Sequence, residues 1–127
     1  MIKKLFTADL YIKISINKFL IKNLSTGDDW ITEHPAQPFT NDRLLVANFS
    51  VAEPVLRNLL KSCIGGMLLK KQARVLIQPL ALVDGGLSEV EEKVLRELGL
   101  AAGAYKVVLH VGDELSNEQA QARLEKG

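Results

Sequence analysis

The chain has 127 residues, 47% of them apolar, which suits one domain over residues 1–127 that buries roughly two-thirds of the surface exposed by its unfolded form. Sixteen basic residues nearly cancel fifteen acidic ones, so no global field drives non-specific binding to nucleic acid or membranes. The single cysteine, Cys63, excludes an internal disulfide, His34 and His110 form no metal motif, and Asp9 and Lys13 break the apolar run after Lys3 and Lys4; a soluble protein of the reducing cytoplasm is expected, with no membrane span.

Apolar residues at Leu10, Ile12, Ile14 and Ile16 alternate with Tyr11, Lys13 and Ser15, the period of a strand. Asn17 and Lys18 then suit a tight turn into a second strand over Phe19–Asn23, and Ser25–Asp29 carries turn chemistry in which Gly27 is free to take positive φ. Residues 30–41 contain Pro35 and Pro38 and read as loop, and Leu44–Asn48 reads as a third strand. Three helices share one start signal, a serine with Glu or Gln three residues on: Ser50 with Glu53, Ser88 with Glu91, and Ser116 with Gln119.

The first helix runs through Val55, Leu56, Leu59 and Leu60 to Gly65 and Gly66, with Pro54 expected in its first turn. The second is expected to bury Val90, Val94, Leu95 and Leu98; the last offers only Leu115, Ala120, Ala122 and Leu124. Between them, Arg74–Gln78 and Tyr105–Val111 are rich in Val, Ile and Leu and read as the fourth and fifth strands. The order β-β-β-α-β-α-β-α predicts an α/β domain with a five-stranded mixed sheet, the order of the ribonuclease-H-like fold. Right-handed crossovers would place the first two helices on one face and leave the other thinly covered.

That second side would carry Tyr11, Lys13, Ser15, Lys22, Arg74, Gln78, Lys106 and His110. Such side chains are ordinarily solvated or snorkelling. As a set they are the candidate interaction face, for a protein or, alternatively, for nucleic acid or another anion. Few signals point to catalysis. A two-metal nuclease needs clustered carboxylates, and Glu53 and Asp84 are already explained by a cap and a turn. Cys63, near Lys61, reads as a core thiol ahead of a redox sensor. Met67, Leu68 and Leu69 between two glycines and two lysines read as a core-plugging connection ahead of an exposed patch.

Two resemblances accompany these readings. Phe39-Thr-Asn-Asp-Arg-Leu-Leu-Val-Ala-Asn-Phe-Ser-Val-Ala-Glu-Pro-Val-Leu and Gly85-Gly-Leu-Ser-Glu-Val-Glu-Glu-Lys-Val-Leu resemble the matching segments of the bacterial YjaA family. That resemblance implies a stress-response label and transfers no catalytic residue. Leu10-Tyr-Ile-Lys-Ile-Ser-Ile-Asn-Lys-Phe-Leu-Ile and Val46-Ala-Asn-Phe are more distantly similar to the first subdomain of the rod-shape and cell-division actin homologues. There, an Asp and a Gly of the phosphate loop serve metal and nucleotide; Lys13 and Ser15 stand in those places, so no nucleotide, metal or other cofactor is expected. Together these readings predict a non-catalytic protein that acts by binding a protein partner or a second copy of itself.

Overall fold

In the computed structural model, residues 7–27, 29–64 and 72–127 are described. Strands β1 (Thr7–Ser15), β2 (Lys18–Asn23) and β3 (Ile31–Glu33) precede helix α1 (Phe49–Ile64); β4 (Gln72–Pro79), α2 (Glu89–Ala101), β5 (Ala104–Leu109) and α3 (Asn117–Lys126) follow. The five strands form one mixed sheet in the order β3-β2-β1-β4-β5. β1, β4 and β5 run parallel, and β2 is antiparallel to both β1 and β3. Among the described residues no helix is long and apolar enough to cross a membrane.

Alternation along β1 sorts the two faces. Leu10, Ile12 and Ile14 join Val75 and Ile77 of β4 beneath Leu56, Leu59 and Leu60 of α1 and Leu95 and Leu98 of α2, forming the larger core. Fully burying each such side chain contributes about 1.5–3 kcal/mol. Tyr11, Leu76 and Val108 point the other way, onto Ala120 and Leu124 of α3. Both crossover helices therefore share one face and α3 covers the other. At Gly99 of α2 an added Cβ would come within 2.7 Å of Val107 Cγ2, so the helix lies directly on the sheet.

The serine caps of the last two helices form complete capping boxes, Ser88 with Glu91 and Ser116 with Gln119. The expected box at Ser50 does not. α1 starts at Phe49, Val51 and Ala52 donate to the Asn48 carbonyl, and Glu53 pairs with Arg57 one turn on. Pro54 accordingly lies in the second turn, on an exposed side of the helix.

The third strand is also displaced. Residues 44–48 turn into α1, whereas Ile31–Glu33, expected as loop, pairs with Phe19–Ile21. Side chains of the loop take up the backbone groups a strand would have offered to a neighbour: Asn41 Oδ1 accepts from the Arg43 and Leu44 amides at 2.9 and 2.7 Å, and Thr40 Oγ1 donates to the Leu45 carbonyl at 2.7 Å. Phe39 is fully buried there and stacks on Phe19, ring centroids 4.7 Å apart. The first turn occupies Ile16–Asn17, one residue earlier than expected, because Asn17 tolerates φ 51° while its Oδ1 accepts from Phe39 and Thr40. Gly65, Gly66 and the Met67–Lys71 stretch lie outside the described residues, as do Lys3 and Lys4.

Candidate functional site

The eight residues of the candidate interaction face do fall on the α3 side of the sheet or at its border, but they meet a polar network there. Tyr11 is fully buried; its hydroxyl donates to Gln78 Oε1 and accepts from the Leu115 amide at 3.1 Å. Gln78, also buried, donates to the Gly112 carbonyl at 2.7 Å. Arg74 forks onto Asp9, Nε to Oδ1 at 2.7 Å and Nη2 to Oδ2 at 2.8 Å, and Gln121 of α3 donates to the same carboxylate. Lys106 caps the Leu124 carbonyl at 2.8 Å, and His110 donates from Nε2 to the Asp113 carbonyl while accepting from Arg123 at Nδ1.

Lys13 pairs with Glu114, and its Nζ stands 4.2 Å from the centroid of the Trp30 ring; Lys22 Nζ stands 4.6 Å from the same ring. Trp30 in turn packs edge-on against Tyr11 at 5.0 Å. Ser15 ends β1, half-buried, opposite Lys18. The expectation of a thinly covered face therefore needs correction on β1 and β4. Trp30, residues 110–116 and α3 close it, and among the described residues no buried side-chain polar atom lacks a hydrogen-bond partner.

The charges behave as members of closed pairs. Burial pushes the Asp9 carboxyl up, but the hydrogen bonds from Arg74 and Gln121 and the nearby Arg74 and Lys106 charges outweigh it, leaving Asp9 below the usual carboxylate range. Arg74 is raised by the Asp9 hydrogen bond in spite of its own burial. The hydrogen bond from Lys13 lowers exposed Glu114, and burial raises Tyr11, with the Leu115 amide opposing.

The sheet edges are also blunted. His110 donates its amide to Ile77, so even-numbered residues of β5 face β4 and odd-numbered ones face outward. The outward carbonyls of Val107 and Leu109 accept from Arg96 of α2 at 3.1 Å and Arg123 of α3 at 2.9 Å. At the opposite edge, β3 is only three residues long. A capped edge and a very short one both disfavour strand addition.

The exposed apolar surface lies elsewhere. Of the nine large apolar side chains that are exposed among the described residues, six lie at the carboxyl end of the parallel strands: Ile16, Leu44, Leu80, Leu82, Val90 and Val111. Three of them, Leu44, Leu82 and Val90, rim an apolar cleft walled by the approach to α1, the turn after β4 and the first turns of α2. Val90 is 68% exposed, contrary to its expected burial, because the first turn of α2 projects past the strand ends. Leu82 holds φ 57°, a conformation costly for a branched side chain and found preferentially where function maintains it. The sequence signal for the cleft is the apolar run Leu80–Val83, which continues beyond the end of β4.

The remaining candidates stay apart from this cleft. Asp84 is exposed in the turn with Gly85 and Gly86, both at positive φ, and Cys63 is half-buried against the larger core near the end of α1. His34 lines a separate depression between residues 33–36 and α1. Among the described residues no group of three or more His, Cys, Asp or Glu side chains is placed to hold a metal ion.

Fold and surface together define a small α/β domain with a five-stranded mixed sheet and three helices. No protein-family model matches the chain. It is 37% identical over 102 residues to the uncharacterized protein YjaA of Escherichia coli (strain K12), a match covering 76% of this chain and 78% of that protein. The chain belongs to the YjaA family. A solved structure, MreB 5 of Spiroplasma citri bound to AMPPNP, is 16% identical with a TM-score of 0.49, covering 83% of this chain. This chain spans only 38% of that one, and a likeness at that level assigns neither fold family nor activity.

Proposed function

We propose that this protein is a non-catalytic interaction module that binds another protein through the apolar cleft at the carboxyl end of its sheet. One observation carries the reading: exposed large apolar side chains are concentrated at that end, around a cleft whose rim includes Leu82 at φ 57°. Contiguous exposed apolar surface costs solubility unless a partner covers it, and the carboxyl ends of parallel strands are the usual ligand side of α/β sheets. The α3 face is a weaker candidate, since Tyr11, Lys13, Arg74, Gln78, Lys106 and His110 are engaged within the molecule. The same engagement weighs against the alternative, nucleic-acid or anion binding by those cations.

The ribonuclease-H-like arrangement belongs to the same proposal; the order β3-β2-β1-β4-β5 with β2 alone antiparallel supports it. Lys13, salt-bridged to Glu114 and lying over Trp30, supports a loop without nucleotide chemistry. The setting we infer is the cytoplasm under stress, as the family resemblance implies. Affinity capture of the tagged protein from stressed bacterial cells tests the reading, with Leu44→Ser/Val90→Ser as comparison. A stoichiometric protein partner retained by wild type and lost by the double variant is expected. An identical set of bound proteins for both, or RNA released by moderate salt as the sole ligand, would overturn it.

A further inference from the structure

Three polar contacts tie α3 to the strands among the described residues. Gln121 donates to Asp9, Lys106 donates to the Leu124 carbonyl at 2.8 Å, and Arg123 reaches the end of β5. Arg123 grips there twice, with Nη2 on the Leu109 carbonyl at 2.9 Å and Nη1 on His110 Nδ1 at 3.1 Å. Asp9, held below the usual carboxylate range, keeps its charge in mildly acidic solution. An imidazole is the side chain that ordinarily changes charge between about pH 5 and 8, so the grip of Arg123 is the contact exposed to that change.

The partners of His110 leave its ring a single state. The Asp113 carbonyl only accepts, so Nε2, 2.7 Å away, carries the proton; a guanidinium only donates, so Nδ1 offers it a lone pair. A second proton can go only to Nδ1. There it removes the acceptor of Arg123 Nη1 and sets two cationic donors against each other at 3.1 Å. Neighbouring groups do not compensate. Exposed Asp113 turns its carbonyl to the ring, Glu114 is paired with Lys13, and on β5 Lys106 is committed to the end of α3. From β4 the Ile77 carbonyl takes the His110 amide, and uncharged Gln78 is bound to Gly112 and Tyr11.

Beneath α3 lie Tyr11, Leu76 and Val108, packed on Ala120 and Leu124, and Arg123 covers an outward carbonyl of the β5 edge. We propose that His110 is a proton-operated latch on this helix. With the ring neutral, Arg123 holds α3 against β5; with the ring protonated, α3 opens and uncovers the apolar strip of Tyr11, Leu76 and Val108, while the larger core under α1 and α2 stays closed. The sign follows from the hydrogen bond: only the neutral ring accepts, so the latch is closed above the ordinary imidazole range of about pH 6.5 and weakens as pH falls through it. Losing a hydrogen bond to a charged group is worth about tenfold or more in a local opening equilibrium.

The test uses the whole chain. Imidazole 15N NMR follows both histidines, exposed His34 serving as the internal reference, and hydrogen exchange, corrected for intrinsic rates, gives the protection of α3 relative to β4. Wild type is compared with His110→Asn, whose amide oxygen accepts at either pH. In wild type at about pH 7.5 the Nε2–H tautomer is expected; on going to about pH 5.5, relative α3 protection should fall at least about tenfold and binding of the apolar dye ANS should rise. His110→Asn should change less than about twofold. A Nδ1–H tautomer, wild-type protection unchanged over the interval, or an equal loss in His110→Asn overturns the latch. Wild type alone also decides it: the ring's titration and the opening of α3 must share a midpoint, and midpoints about one pH unit apart or more overturn the proposal even if the variant does not fold.

Discussion

The two faces of the sheet are built by different means. Beneath α1 and α2 the contact is a large apolar core that includes ten fully or nearly fully buried aliphatic side chains of β1, β4, α1 and α2. Beneath α3 the apolar cluster is five buried residues, and the rest of the attachment is hydrogen bonds and ion pairs: Asp9 with Arg74 and Gln121, Lys106 with the end of the helix, Arg123 with His110. Apolar burial is additive and tolerant of small shifts, whereas a polar network is stabilising only while every member is satisfied. One face therefore fixes the fold and the other is conditional on pH and on each partner being present.

The largest expected effect belongs to the apolar face. Leu56→Ala should cost about 3 kcal/mol, read as a lower denaturant midpoint at unchanged slope, since a fully buried leucine leaves a cavity between α1 and the sheet. Nearly as large is Asp9→Ala at about 3 kcal/mol, because Arg74 keeps its half-buried charge without a counter-ion. Its signature differs: Asp9 titrates below its ordinary value in the folded state, so its contribution is present above the ordinary carboxylate range and is lost as pH falls through the folded-state value. The wild-type stability curve should drop on the acid side more steeply than that of Asp9→Ala. Leu56→Ala should fall in parallel with wild type, and equal acid slopes for all three proteins would erase the contrast between the faces.

A smaller effect distinguishes tight packing from helix propensity. Gly99→Ala gains about 1 kcal/mol of helix propensity but drives a methyl to 2.7 Å from Val107, an overpacking that costs about 1–3 kcal/mol. Net destabilisation by about 1 kcal/mol is expected, and Gly99→Ala/Val107→Ala should recover part of it. Smallest in global stability is Ser116→Ala, about 1 kcal/mol for the lost cap of α3. Hydrogen exchange should show α3 opening ahead of the sheet, whereas Ser88→Ala, the matching change on α2, should leave the exchange order unchanged.

The second helix was legible to the residue at its start because Ser88 and Glu91 satisfy one another locally, whatever the rest of the chain does. Strands β1 and β2 were legible for a similar reason, period-two alternation closed by a turn, although β1 begins at Thr7, three residues before the expected Leu10, and the turn comes one residue early. The false strand at Leu44–Asn48 and the missed one at Ile31–Glu33 share a cause. Composition favoured pairing at the first, where Asn41 and Thr40 in fact bind the backbone, and β3 exists because Phe19–Ile21 offers it an edge. Of the candidate site, the eight residues lie on one side of the sheet or at its border, but their partners, among them Leu115 for Tyr11, Glu114 for Lys13 and Asp9 for Arg74, lie up to 104 residues away in sequence.

By itself the amino-acid sequence determined the small α/β class, the two crossover helices and which strand residues look to which side, because alternation, caps and turns are set by neighbours a few positions apart. Tertiary structure alone decided that the cations of the second face are spent on internal partners, that β5 is capped by Arg96 and Arg123, and that exposed leucines and a valine gather at one end of the sheet. Those outcomes depend on which distant side chains arrive within a few ångströms of one another, and no local pattern encodes such a distance.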